Sequence, residues 1–149
     1  MKVIDCFIFY NELDMLEFRL NELNDVVDYF VLVECIKTHT NNDKELYFEN
    51  NKNRFSKFLD KIIHIIVKDN IPQTNSAWDR EKYQRFCIDE GIKKLNLNND
   101  VVFQGGMNPK FLLGNNKRMF EEAKKYLDFF KNKPYIFNLG HGILPKTKP

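Results

Sequence analysis

The stretch Lys2–Ile36, KVIDCFIFYNELDMLEFRLNELNDVVDYFVLVECI, decides the fold. Its first part, KVIDCFIF, is dense in β-branched and aromatic residues and reads as a buried strand. Leu13, Leu16, Leu20 and Leu23 then recur at spacings of three and four, the period of a helix with one apolar face. DYFVLVECI returns to a short, nearly unbroken apolar run, so the stretch reads strand, helix, strand. Near-continuous apolar strands are expected where helices cover both faces of a parallel sheet. At the start of the helix, Asn11 is the expected N-cap, with Glu12 and Asp14 favouring its positive end.

The alternation continues outward. RFSKFLDK (54–61) reads as a short helix and KIIHIIVKD (61–69) as a third strand, with His64 inside it as a satisfied sheet histidine. SAWDREKYQRFCIDEGIKKL (76–95) reads as one long helix capped at Ser76 or Asn75, with Trp78 as a packing anchor and Gly91 weakening its last turns. VVFQGG (101–106) is a fourth strand. A short turn of helix opens at Asn108-Pro109, NNKRMFEEAKKYLDFFKNK (115–133) is a helix, and YIFNLGHG (135–142) is a fifth strand. The pattern βαβαβαβαβ implies an α/β fold: a Rossmann-like parallel sheet of about five strands, order 3-2-1-4-5, joined by right-handed crossovers.

Composition narrows the function classes. The 149 residues suit one domain, and a formal charge of +2, from 23 basic and 21 acidic side chains, leaves no polyanion footprint, so nucleic acid is not expected as a partner. Most of the 14 Phe stand beside Leu, Ile and Val and read as core. Three widely spaced cysteines, Cys6, Cys35 and Cys87, without a Cys-x-x-Cys, point to free thiols in a reducing compartment. The apolar start is short and interrupted by Asp5, which argues against a signal peptide or membrane anchor. A cytoplasmic location and no membrane partner are the expectation.

Several strings resemble a known family. DCFIFYNELDMLEFRLNELNDVVDYFVLVE, KTHT, LYFENNKNRF, DKIIHIIV and AWDREKYQR, in that order, are similar to glycosyltransferase family 17, whose best-known members are β-1,4-mannosyl-glycoprotein β-1,4-N-acetylglucosaminyltransferases. The resemblance covers residues 1–100. It implies the nucleotide-sugar-binding half of an A-type glycosyltransferase, with a UDP-sugar beyond the carboxyl ends of the strands. Asn11, Glu12 and Glu34 lie at strand ends where amides and carboxylates can meet a base or ribose. Arg80 and Arg85 could face a diphosphate. Each also has a plainer reading: Asn11 as a cap, Glu12 as a dipole partner, Glu34 as a solvated carboxylate and one of the arginines as a surface ion pair. The family also implies an Asp-x-Asp type motif that holds a divalent cation, Mn or Mg, against the diphosphate. Here the fourth strand runs DVVFQGG. No carboxylate pair follows it, and Asp100 stands at its other end.

VVFQGGMNPKFLLG and YIFNLGHGILPKTKP resemble the C-terminal end of uroporphyrinogen decarboxylase, over residues 101–149. That family is a (β/α)₈ barrel that decarboxylates a porphyrinogen without a cofactor. The resemblance implies that His141, between Gly140 and Gly142, contacts the porphyrinogen. No position among the first hundred residues matches that family's arginine loop or its catalytic Asp and Tyr, and a complete barrel takes roughly 250 residues. The chain therefore reads as a truncated or chimeric glycosyltransferase-like protein with impaired transfer. The alternatives are a decarboxylase C-terminal fragment and a non-catalytic binding or structural module.

Overall fold

The computed structural model describes residues 2–96 and, as backbone, the strands at 101–104, 135–138 and 142–145. Strand β1 (Val3–Phe9), helix α1 (Leu13–Leu23) and strand β2 (Tyr29–Cys35) form the expected unit, with β1 and β2 parallel and Cys6 opposite Val31. A short helix α2 (Tyr47–Asn50) and a 3-10 segment, Lys52–Lys61, lead to β3 (Ile62–Val67), which pairs in parallel with the far edge of β2. Helices α3 (Ala77–Phe86) and α4 (Ile88–Lys94) follow. The α/β class of the sequence reading is thus present, built on the parallel core β3-β2-β1.

Beyond β1 the sheet continues with β4 (Val101–Gln104), β5 (Tyr135–Asn138) and β6 (Gly142–Pro145), in the order β3-β2-β1-β4-β5-β6. The last pair is antiparallel, with Phe137 opposite Ile143. YIFNLGHG is therefore not a single strand, and the sheet carries an antiparallel edge absent from the sequence reading. The expected helices between 108 and 133, and His141, lie outside the described residues.

Strand alternation sorts the core into two layers. Val3, Phe7, Phe9, Phe30 and Leu32 face α1, α2 and the 3-10 segment, joined by Leu16, Leu20, Phe48, Phe55 and Phe58. Ile4, Cys6, Val31, Val33 and Cys35 face the other way and pack with Ile65, Val67, Cys87 and Ile88. All three cysteines are free and buried. Among the described residues no helix is long and apolar enough to cross a membrane.

Two local expectations are corrected and a third is extended. RFSKFLDK is 3-10 rather than α, with a kink at Phe55. In that tighter winding residues three apart eclipse, which lets Phe55 and Phe58 enter the same layer. The helix at 76–95 is two helices, divided at Cys87, whose side chain is buried under β2 and β3. Gly91 is a packing requirement as well as a helix weakener, because a β-carbon there would overlap the side chain of Val31.

The first layer also buries an ion pair that the sequence reading did not foresee. Arg19, on the core face of α1, is 1% exposed and donates Nε to Asp5 Oδ2 at 2.7 Å and Nη2 to Asp5 Oδ1 at 2.6 Å. Asp5 stands in the middle of β1 and is fully buried. The guanidinium also lies 4.4 Å from the centre of the Phe7 ring, so a planar cation fills space between aromatic and carboxylate.

Candidate functional site

A cleft of about 540 Å³ opens at the carboxyl ends of β1 and β2. Open α/β sheets place ligand crevices at that end, because the loops there can diverge while the strands stay fixed. Its floor is the end of β1, Ile8 to Tyr10, together with Glu12. One wall is the turn Lys37–Lys44, and the other is Gln84 and Arg85 of α3. The volume lies within the range of small-molecule sites.

The turn is the KTHT string, and its shape follows from its residue types. Lys37 and Asp43 close it as an antiparallel bridge. Thr38 N–H donates to Asn42 O at 2.9 Å, and Asn42 N–H donates to Thr38 Oγ1 at 3.0 Å. The Thr38 and Thr40 hydroxyls are 2.9 Å apart. Asn41 takes a φ of +69°, a left-handed conformation that asparagine tolerates better than most residues. From behind, Arg80 pins the turn: Nε donates to His39 O at 2.6 Å, and Nη1 donates to the carbonyls of Pro72 (3.3 Å) and Thr74. Arg80 is 3% exposed and does not line the cleft. Its guanidinium is occupied by main-chain carbonyls, so the expected role against a diphosphate does not fit its place.

The other candidates divide. Arg85 lines the cleft while Nε and Nη2 donate to Glu81 Oε1 at 3.0 and 2.8 Å. Glu12, not Asn11, is the N-cap residue of α1, and its side chain turns back onto the strand exit. There Glu12 Oε2 accepts the N–H groups of Tyr10 (3.2 Å) and Asn11 (3.1 Å). Asn11 is exposed and does not line the cleft. Trp78, expected as a packing anchor, is 70% exposed on α3.

Glu34 is fully buried, and so is not the solvated carboxylate of the plainer reading. Its Oε1 accepts Phe48 N–H at 2.9 Å and its Oε2 accepts Glu49 N–H at 3.3 Å, which satisfies donors at the start of α2. Lys44 Nζ is 3.5 Å from Oε1, and His64 Nε2 is 3.2 Å from Oε2. His64 Nδ1 in turn lies 3.1 Å from Glu49 Oε2, and Phe48 meets the imidazole edge-on at 4.8 Å. Nε2 has no aligned hydrogen-bond partner among the described residues, so its relation to Glu34 is one of proximity. Burial pushes the Glu34 carboxyl up, but His64, the Phe48 N–H and Lys44 together hold it below the ordinary glutamate value. Burial pulls the Lys44 ammonium down, and Glu34 only partly offsets this. Lys44 forms part of the cleft wall, held by Glu45 O at 2.9 Å and by the rings of Tyr10 and Tyr47.

The sequence reading therefore found Glu12 and Arg85 at the cleft and missed Tyr10, Lys37, Thr38, Thr40, Asn42, Lys44 and Gln84. Only the KTHT string signalled that turn. Among the described residues each carboxylate around the cleft is already engaged: Glu12 by backbone N–H groups, Glu34 by α2 and Lys44, Asp43 by Lys37 at 2.7 Å, and Glu81 by Arg85. Among the described residues no three His, Cys, Asp or Glu side chains converge as metal ligands would.

Comparison with known proteins gives two families. The family model "Glycosyltransferase family 17" matches residues 1–107, and the model "Uroporphyrinogen decarboxylase (URO-D)" matches residues 70–149, so both include residues 70–107. Among curated proteins, uroporphyrinogen decarboxylase of Rickettsia bellii (strain RML369-C) is 48% identical over 59 residues, covering 39% of this chain and 17% of the relative. The Orientia tsutsugamushi (strain Boryong) protein of the same name is 36% identical over 95 residues, covering 62% and 25%. That of Rickettsia akari (strain Hartford) is 51% identical over 49 residues, covering 33% and 14%. The chain thus spans a quarter or less of the length of these relatives. No solved structure matches it. The chain belongs to glycosyltransferase family 17 through residues 1–107 and to the uroporphyrinogen decarboxylase family through residues 70–149.

Proposed function

We propose that this protein binds a nucleotide sugar of the UDP type in the cleft above β1 and β2, and that it transfers the sugar poorly or not at all. The observation that carries this reading is the cleft itself: about 540 Å³, at the carboxyl ends of parallel strands, in the part of the chain that belongs to glycosyltransferase family 17. Its lining suits a nucleoside. Tyr10 offers an aromatic face, Thr38, Thr40, Asn42 and Gln84 offer hydroxyls and amides, and Glu12 Oε1 is outside the backbone contacts that hold Oε2. An N-acetylglucosaminyl donor and a cytoplasmic location belong to the same reading, the latter supported by three free, buried thiols.

Impaired transfer follows from charge. A departing diphosphate needs positive charge in the transition state, which the family supplies with a divalent cation between acidic side chains. Residues 101–120 contain no Asp or Glu, and the carboxylates described around the cleft are engaged elsewhere. The described residues do not fit such a cation. Isothermal titration with UDP-N-acetylglucosamine tests the reading: heat of binding without sugar release is expected, and absence of binding defeats it.

A second reading is favoured by the curated relatives named above, which are uroporphyrinogen decarboxylases, and by the family match over 70–149. It assigns a porphyrinogen to the C-terminal segment, with His141 contacting it. Titration with a porphyrin in place of the nucleotide sugar separates the two. If neither ligand binds to a cooperatively folded chain, it is a non-catalytic structural module.

A further inference from the structure

We infer that the cleft binds its anionic ligand without a divalent metal, through the side-chain charges of Lys37 and Arg85, which anchor the bound diphosphate and do not replace a cation at the departing bond. The inference rests on the nucleotide-sugar reading and concerns how the same site meets the diphosphate. A divalent cation is held by several oxygen ligands, and carboxylates supply most of its charge balance. Among the described residues around this cleft no three such side chains converge, and each carboxylate is engaged at one oxygen or more. Two backbone N–H groups occupy Glu12 Oε2, Glu34 is buried beneath α2, and Asp43 and Glu81 are each paired with a base. Beyond β4, the sequence supplies no carboxylate before Glu121.

The bases tell the complementary story. Lys37 and Arg85 stand on opposite walls of the cleft, both partly exposed, and each is paired with a single carboxylate. Exposed pairs of this kind hold weakly, so an arriving phosphate can replace Asp43 or Glu81 at little cost. Asp43 in particular is 91% exposed and returns to water on release. Glu81 engages only Nε and Nη2 of Arg85, which leaves Nη1 outside that pair and lets the guanidinium bridge Glu81 and a phosphate together. Lys44 adds a fixed charge from the wall. It is only 3% exposed, tethered to Glu45 O and enclosed by Tyr10 and Tyr47, so it acts through the field rather than by reaching out. Two movable cations around one buried cation form an anion cradle that needs no metal.

The test is calorimetric titration of the full chain with UDP, once with a chelator and once with manganese. The dissociation constant is expected to be the same in both within about twofold, and to weaken as salt rises because exposed charges are screened. Lys37→Met and Arg85→Met should each weaken binding about tenfold, the loss of one charge-assisted hydrogen bond. Lys93→Met, which removes an exposed charge on α4, should leave it unchanged, and circular dichroism of each variant checks the fold. Binding that appears only with manganese overturns the inference and leaves the nucleotide reading standing. Equal binding by the wild type, K37M and R85M also overturns it, because the anion then sits elsewhere. No binding in either buffer overturns both.

Discussion

The two faces of the sheet solve the same problem in opposite ways. On the first, six phenylalanines (Phe7, Phe9, Phe30, Phe48, Phe55 and Phe58) make a thick aromatic layer that also encloses the Asp5–Arg19 pair. On the second, Ile, Val and Cys make a thin layer, and α4 approaches until Gly91 sits against Val31. The two layers therefore differ in side-chain volume. Among the large rings a planar guanidinium fills space against Phe7, while on the other face only glycine fits where α4 meets Val31. The first face is vulnerable to lost pairing and lost volume. The second is vulnerable to added volume.

The sharpest way to break this contrast is on the first face. Asp5→Ala leaves the guanidinium of Arg19 buried without its carboxylate and should cost about 3–5 kcal/mol in urea unfolding. The double variant Asp5→Val with Arg19→Met should recover most of that loss, because a well-packed apolar pair often replaces a buried ion pair without penalty. If the double variant is as unstable as the single one, the pair has a role beyond mutual neutralisation.

On the second face the predicted effect is smaller and of opposite origin. Gly91→Ala gains the helix propensity of alanine but forces α4 away from Val31, with a net loss of about 1–3 kcal/mol. Pairing it with Val31→Ala should restore stability by making room. An unchanged or raised midpoint for Gly91→Ala alone would show that α4 moves freely and that the thin layer is not tight.

The smallest effect concerns pH and belongs to the cluster at the edge of the first face. The Glu34 carboxyl is held below its ordinary value in the folded state. Its contribution is thus fully present above the ordinary glutamate range and is lost as pH falls through the lower folded value. The Lys44 ammonium is also held low, so its burial cost is present at neutral pH and is relieved as pH rises through the folded value. Glu34→Gln should therefore flatten the acid side of the stability profile and move the alkaline rise to lower pH, because Glu34 supports the Lys44 ammonium, as followed by thermal midpoints against pH.

Much of the fold was legible because its signals are local. The apolar runs at β1, β2 and β3 and the leucine spacing of α1 came directly from neighbouring residues. Where the reading slipped, distant contacts had overridden local pattern. Cys87 divides an otherwise helical run because it is buried under the sheet, and the 3-10 winding places Phe55 and Phe58 in one layer. Of the cleft only Glu12 and Arg85 were foreseen, because little of it is local. Glu12 lies next to a strand end in sequence, whereas Lys37, Lys44 and Gln84 reach the cleft only through a turn and a helix that the fold brings over it.

By itself the sequence determined the α/β class and the family resemblances at both ends, since periodicity and motif strings are properties of adjacent residues. Only the tertiary structure decided which charges meet. Arg80 holds the carbonyl of a residue 41 positions away, and Arg19 neutralises Asp5 across 14. A side chain's charge is written in the sequence, but its partner is fixed by packing, and the partner decides whether an arginine clamps the backbone, fills the core or remains at the cleft to meet a ligand.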